Sequence, residues 1–117
     1  MDKIFQTMGG NPRNFNKLDL YKLPSPCFVI DTRALIDNLL TLNHLKSQTG
    51  VKILVALKAF STPYFGSLIS EYLDGCCSSG LFETKLAKKF FKGEISTFSP
   101  AYKKDDIREI VNLSDHI

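Results

Sequence analysis

The chain is poor in the residues that build metal sites and disulfide frameworks. Of its 117 residues, three are cysteines (Cys27, Cys76, Cys77) and two are histidines (His44, His116). An odd cysteine count, with two of the three adjacent, argues against a secreted disulfide scaffold. A zinc centre needs about four ligands at staggered spacing, and the two histidines sit in unrelated segments, so no metal site is expected. Structural thiols in a reducing compartment are the simpler reading. Long apolar runs are also missing; none approaches the ~18 residues that a membrane span requires. Residues 1–22 are polar, carry Gly9-Gly10 and Pro12, and contain no stretch of signal-peptide type. They read as an N-terminal arm on a cytoplasmic protein, with the ordered domain at residues 23–117. Charge of one sign is scarce as well. The net +3 is spread along the chain, with short basic pairs at Lys88-Lys89 and Lys103-Lys104. Such pairs read as solvated helix faces, and no nucleic-acid partner is expected.

What remains is ordinary for a globular domain: 44% hydrophobic and 23% charged residues. From Leu23 onward, short apolar runs alternate with longer amphipathic ones. Cys27 to Ile30, preceded by Pro24 and Pro26, predicts a first strand. Asp31 or Thr32 then caps a helix to about Ser47, whose Leu35, Ile36, Leu39, Leu40 and Leu42 follow helical spacing and which Gly50 ends. Ile53 to Leu57 is apolar on both alternating faces, which suits a parallel strand covered on both sides. Thr62-Pro63 predicts a cap and first helical position, with Phe65, Leu68, Ile69 and Leu73 on the helix that follows. Asp74 to Ser79 predicts a third strand. A helix from about Leu81 to Phe91 carries Glu83 in its first turn, where negative charge is favoured, and Gly93 stops it. Ile95 to Phe98 predicts a fourth strand, Asp105 to Val111 a helix, and Leu113 to Ile117 the approach to a fifth strand.

Strand starts near residues 27, 52, 75 and 95 recur at about twenty residues. Repeated βα units of this kind give parallel strands with right-handed crossovers. They fit either an open doubly wound sheet or part of an eight-fold barrel. No G-x-G-x-x-G loop follows the first strand, which counts against a dinucleotide-binding sheet. A full barrel takes ~250 residues, so the barrel reading makes this chain about four βα units of a larger whole.

Lys58 ends the second predicted strand. Alternation puts Leu54, Ala56 and Lys58 on one face and Ile53, Val55 and Leu57 on the other. The aliphatic odd face would meet the helices. The even face, with its small alanine, would point into the barrel, and Lys58 would stand at the carboxyl end where barrel enzymes keep their chemistry. An amine in that place is favoured in its neutral, nucleophilic form by desolvation, the form needed to bond an aldehyde cofactor. Spacing alone leaves open a surface lysine that caps a strand and snorkels into water.

Several segments resemble one family. Leu23-Pro-Ser-Pro-Cys-Phe-Val-Ile-Asp31 resembles the opening of the alanine racemase-like, fold-III group of pyridoxal 5'-phosphate (PLP) enzymes. Val51-Lys-Ile-Leu-Val-Ala-Leu-Lys-Ala-Phe60 resembles that group's lysine-bearing second strand. Its Val-Ala-Leu-Lys-Ala-Phe variant is similar to the carboxynorspermidine (carboxyspermidine) decarboxylases. So are Tyr72-Leu-Asp-Gly75, Ser78-Ser79, Glu83 and Phe98-Ser-Pro-Ala-Tyr-Lys103. The resemblance covers residues 23–117 and implies the N-terminal portion of a (β/α)8 TIM-type barrel. It implies PLP held on Lys58, with Ala56 and Phe60 bordering the cofactor. It also implies a substrate-side role for Ser99 and Tyr102, although a plain strand-ending turn explains Ser99-Pro100 as well. Cys76-Cys77 departs from the ornithine decarboxylase pattern, which has an aspartate nearby, so no acidic cofactor contact is assigned.

The implied activity is decarboxylation of carboxynorspermidine or carboxyspermidine to norspermidine or spermidine, by a homodimer in its full-length form. The phosphate loop, the partner of the pyridine nitrogen and the C-terminal β-domain of relatives lie outside these residues. An incomplete, inactive segment is therefore expected. Other fold-III enzymes (diaminopimelate or ornithine/arginine decarboxylase, or an amino-acid racemase) and a non-catalytic PLP-binding barrel would share Lys58.

Overall fold

The computed structural model describes residues 11–117; the first ten residues of the polar arm lie outside them. Contacts group the chain into two units, Met1–Thr41 and Leu42–Ile117. In the first, two 3-10 turns, Pro12–Phe15 and Leu20–Lys22, are each preceded by a side-chain cap. Asn11 accepts from the Arg13 amide and Asp19 from that of Tyr21. Helix α1 (Thr32–Thr49) begins here. Of its two candidate caps, Asp31 performs the task. Its Oδ1 accepts the amides of Arg33 and Ala34 at 3.0 and 3.1 Å, and its Oδ2 accepts from Asn14 Nδ2 at 3.0 Å. Capping satisfies amides that have no partner inside the helix. The Ala34 amide leads the groups that hold the Asp31 carboxyl below its usual range.

The expected first strand is absent. Cys27 to Ile30 takes no strand pairing among the described residues, and Phe28 is fully exposed. Flanking prolines favour extended backbone, but a strand also needs a neighbour to take its amides and carbonyls.

The second unit holds a three-stranded parallel sheet in the order β1-β2-β3. Its strands are β1 (Leu54–Ala56), β2 (Gly75–Ser78) and β3 (Glu94–Thr97). The helices between and after them are α2 (Gly66–Ser70), entered through a 3-10 turn at Pro63–Phe65, then α3 (Leu81–Phe90) and α4 (Lys104–Leu113). Thr62 precedes Pro63 as expected, but its side chain makes no capping bond. The α1 helix ends at Gly50, whose φ of +72° is readily available to glycine. A further parallel bridge joins Ser96 to His116, so the tail at Leu113–Ile117 does reach the sheet at the β3 edge.

Register explains the packing. Val55, Cys76 and Ile95 lie side by side, as do Ala56, Cys77 and Ser96. Because alternate residues share a face, the first row belongs with Leu57, Ser78 and Thr97. Within these two rows Leu57, Cys76, Ser78, Ile95 and Thr97 are all buried. Phe65, Ile69, Leu73, Ala87, Phe91 and Ile110 complete this core. The opposite face, with Ala56, Cys77 and Ser96, is half-buried.

Two polar arrangements lock the layers. On the covered face, Ser78, Thr84 and Thr97 bring their hydroxyls within 2.8–3.2 Å of one another, and Thr97 also meets Ser114 at 2.7 Å. These groups link β2, α3, β3 and the end of α4, and no buried side-chain oxygen or nitrogen among the described residues lacks a partner. At the amino end of the sheet, Asp74 Oδ2 accepts the Ile53 amide at 2.8 Å. Asp115 Oδ2 does the same for the Ile95 amide, also at 2.8 Å. The same device thus recurs at the starts of β1 and β3.

Candidate active site

The carboxyl ends of the three strands open into three loops, and hydrogen bonds fix each one. The first follows β1. Leu57 makes the last ladder bond, from its amide to the Cys77 carbonyl at 2.9 Å. The chain then turns, and the Ala56 carbonyl accepts the amides of both Ala59 and Phe60 at 3.0 and 3.1 Å. Lys58 lies in this turn, one residue beyond the ladder. It is exposed, whereas Leu57 before it is buried. Its amine makes no ion pair or hydrogen bond with the other described residues. The strand-end position expected from alternation is therefore found, but the lysine is not buried in this chain. Ala56 sits two residues earlier on the open face, and Phe60 packs its ring 6.1 Å from that of Phe65.

The second loop follows β2. Glu83, in the first turn of α3, reaches back so that its Oε2 accepts the Ser79 amide at 2.7 Å and the Ser79 hydroxyl at 2.8 Å. The charge placed there by the dipole argument is thus also a clamp on the end of β2. The sequence reading missed that contact. A serine four residues before a first-turn glutamate was the available signal, related to the reciprocal bonding of a capping box.

The third loop follows β3. Tyr102 donates its hydroxyl proton to the Thr97 carbonyl at 3.0 Å and accepts the Ser99 amide at 3.1 Å. Ser99 Oγ donates to the Ala101 carbonyl at 2.9 Å. The polar groups of Ser99 and Tyr102 are accordingly engaged within their own loop. A cleft of about 200 Å³ lies beside it, lined by Ser79, Gly80, Ser99, Tyr102, Lys103 and Asp106, among others. Lys58 does not line this cleft, so the structure brings Ser99 and Tyr102 together but does not join them directly to the lysine.

The cysteines differ sharply in setting. Cys27 is exposed, Cys77 half-buried on the open face, and Cys76 buried beneath the helices; all three are free. Burial, with some contribution from Cys77, pushes the Cys76 thiol up to about 12. It is a core group, not a nucleophile. No cluster of metal-binding side chains occurs among the described residues, and no helix there is long and apolar enough to cross a membrane.

A lysine amine just past the carboxyl end of a parallel strand, with no partner among the described residues, has the chemistry to bond an aldehyde cofactor. Comparison with known proteins gives this arrangement its context. The sequence is 41% identical over 96 residues to a carboxynorspermidine/carboxyspermidine decarboxylase of Campylobacter jejuni, covering 82% of this chain and 25% of that protein. This chain is related to the carboxynorspermidine/carboxyspermidine decarboxylases. A second such protein, from Herminiimonas arsenicoxydans, is 37% identical over 95 residues, which is 81% of this chain and 26% of the relative. A carboxyaminopropylagmatine decarboxylase of Synechocystis is 37% identical over 108 residues, 92% of this chain and 26% of the relative. The solved structure of the Campylobacter jejuni carboxynorspermidine decarboxylase, complexed with norspermidine, superposes with a TM-score of 0.78 at 40% identity. That match covers 81% of this chain and 26% of the other. No family model matches the sequence. This chain therefore spans about a quarter of the length of the decarboxylases it resembles, and its α/β fold is that of a portion of such an enzyme.

Proposed function

We propose that this chain is the lysine-bearing, N-terminal portion of a PLP-dependent decarboxylase of carboxylated polyamines, built on a (β/α)8 barrel. The observation that carries the reading is the unpaired Lys58 amine at the carboxyl end of β1, in a chain related along most of its length to such decarboxylases. The sequential order of three parallel strands, with His116 continuing the series beyond β3, supports a barrel over a doubly wound sheet, whose order reverses at a switch point. On this reading residues 1–22 are an arm and residues 23–117 begin the barrel.

The residues present fit the cofactor. Lys58 has no competing partner among the described residues, and the neighbouring Ala56 side chain is small enough to let a planar ring approach the strand. When bound, PLP supplies an electron sink for the pair left by loss of carbon dioxide. The chain's own contribution is placement. The turn closed on the Ala56 carbonyl holds Lys58 at the rim, the Ser79–Glu83 clamp fixes the adjacent loop, and Tyr102 holds the loop after β3. Ser99 and Tyr102 border the substrate side through the loop they build. The group that partners the pyridine nitrogen and the phosphate-binding loop come from the rest of the enzyme, which acts as a homodimer. Three free cysteines fit a reducing, cytoplasmic setting.

The test is a carbon dioxide release assay on the longer protein that carries this segment. Carboxynorspermidine or carboxyspermidine is expected to be the best substrate, ahead of diaminopimelate, ornithine and arginine. Preference for one of the latter would assign another fold-III enzyme. PLP binding with no turnover of any of them would assign a non-catalytic carrier.

A further inference from the structure

Phe98 is an exposed aromatic at the functional end of the sheet. Its amide still makes a ladder bond, to the Ser78 carbonyl at 2.9 Å, so the strand geometry extends through it. Alternation from Ser96 and from the buried Thr97 places its side chain on the open face, and it is 66% exposed. This is the face that carries Ala56, with Lys58 in the turn just beyond. Between the two strands the in-register side chains are small: Ala56 on β1, Cys77 on β2 and Ser96 on β3. Adjacent strands lie ~4.8 Å apart, so β1 and β3 are separated by about 10 Å across a low floor.

We infer that the Phe98 ring is a specificity-determining contact for the distal, protonated part of a linear polyamine whose reacting end sits at Lys58. The inference rests on the decarboxylase reading of the same site. A polyamine alternates ammonium groups with short methylene runs, and an aromatic face accepts both, one by cation–π attraction and the other by apolar contact. A linear polyamine has the reach to cross two strand spacings, and the small floor residues leave its path clear. The loop bonds of Ser99 and Tyr102 occupy their polar groups, so an exposed ring is what β3 offers to the substrate at this end. A substrate lacking the distal ammonium would gain nothing from it.

The experiment compares Phe98→Leu and Phe98→Tyr with the parent in the longer protein. Norspermidine affinity is measured by calorimetry with and without PLP, and KM and kcat are measured on carboxynorspermidine. Leucine keeps apolar bulk and loses the ring face; tyrosine keeps both. Phe98→Leu is expected to weaken norspermidine binding about five- to tenfold and to raise KM similarly with kcat within about twofold, while Phe98→Tyr stays near the parent. Unchanged affinity in a folded Phe98→Leu protein overturns the inference, as does an equal loss in both variants. The visible band of bound PLP reports separately on Lys58. Its absence from the parent sinks the cofactor reading, whereas the norspermidine comparison without PLP still decides the role of Phe98.

Discussion

Lys46, in the last turn of α1, places its Nζ 2.8 Å from Asp74 Oδ1 while donating to the Tyr72 carbonyl at 2.8 Å. The other Asp74 oxygen takes the Ile53 amide. One carboxylate thus ties the end of α1, the start of β1 and the start of β2 at the amino face of the sheet, away from Lys58. In a barrel enzyme that face serves stability.

Asp74→Asn should therefore lower stability by about 1–2 kcal/mol, the usual cost of losing a charge-assisted bond at a partly exposed site. Lys46 and the Ile53 amide hold the Asp74 carboxyl below its ordinary range. A carboxyl with a lowered folded pKa adds stability above its unfolded pKa, and loses it as pH falls through the folded pKa. The stability difference between parent and variant should be full at neutral pH and shrink below about pH 4. Denaturant melts at several pH values check this; a difference that grows in acid contradicts it.

Gly93→Ala should be more damaging. Gly93 has φ +89°, and an added Cβ would stand 2.1 Å from the Asp74 carbonyl oxygen. That carbonyl also accepts the Glu94 amide that begins β3. Conformational strain and a backbone clash together should cost roughly 2–4 kcal/mol, read as a lowered melting temperature. A variant as stable as the parent would contradict the tight approach of these two strands.

Much of this architecture was legible from local pattern. Asp31 as a cap, Gly50 as a helix end, the α3 span and the Gly75–Ser78 strand follow from capping chemistry, left-handed backbone and periodicity, all short-range properties. The failures are long-range. Cys27 to Ile30 has strand composition, yet no described strand pairs with it. Lys58 was expected to face an interior, but in this portion of the fold it is exposed. The hydroxyl cluster of Ser78, Thr84, Thr97 and Ser114 joins residues up to 36 positions apart, and no periodicity marks such a set in advance. The placing of Lys58 just past the end of β1, by contrast, was readable from the apolar run that precedes it.

Tyr102→Phe isolates the loop after β3. The change removes one hydroxyl and leaves the Thr97 carbonyl and the Ser99 amide without their partner. It should cost about 1–2 kcal/mol and raise KM more than it lowers kcat, with the PLP absorbance intact. Loss of that absorbance would show that Tyr102 supports the cofactor itself.

The thiols offer a check on the two faces of the sheet. Cys76, with its thiol pushed up to about 12 and its side chain buried, should resist alkylation in the native protein at pH 8, whereas Cys77 on the half-buried open face should react slowly. Peptide mass spectrometry after iodoacetamide treatment reads both. Fast labelling of Cys76 would contradict the assignment of the covered face.

The central claim is that Lys58 holds the cofactor. The most direct measurement is borohydride reduction of the PLP-loaded longer protein, followed by peptide mapping of the pyridoxyl-lysine. The account predicts the label on Lys58 and its loss, together with the visible band, in Lys58→Ala. A label on another lysine, or a band that survives Lys58→Ala, would contradict it.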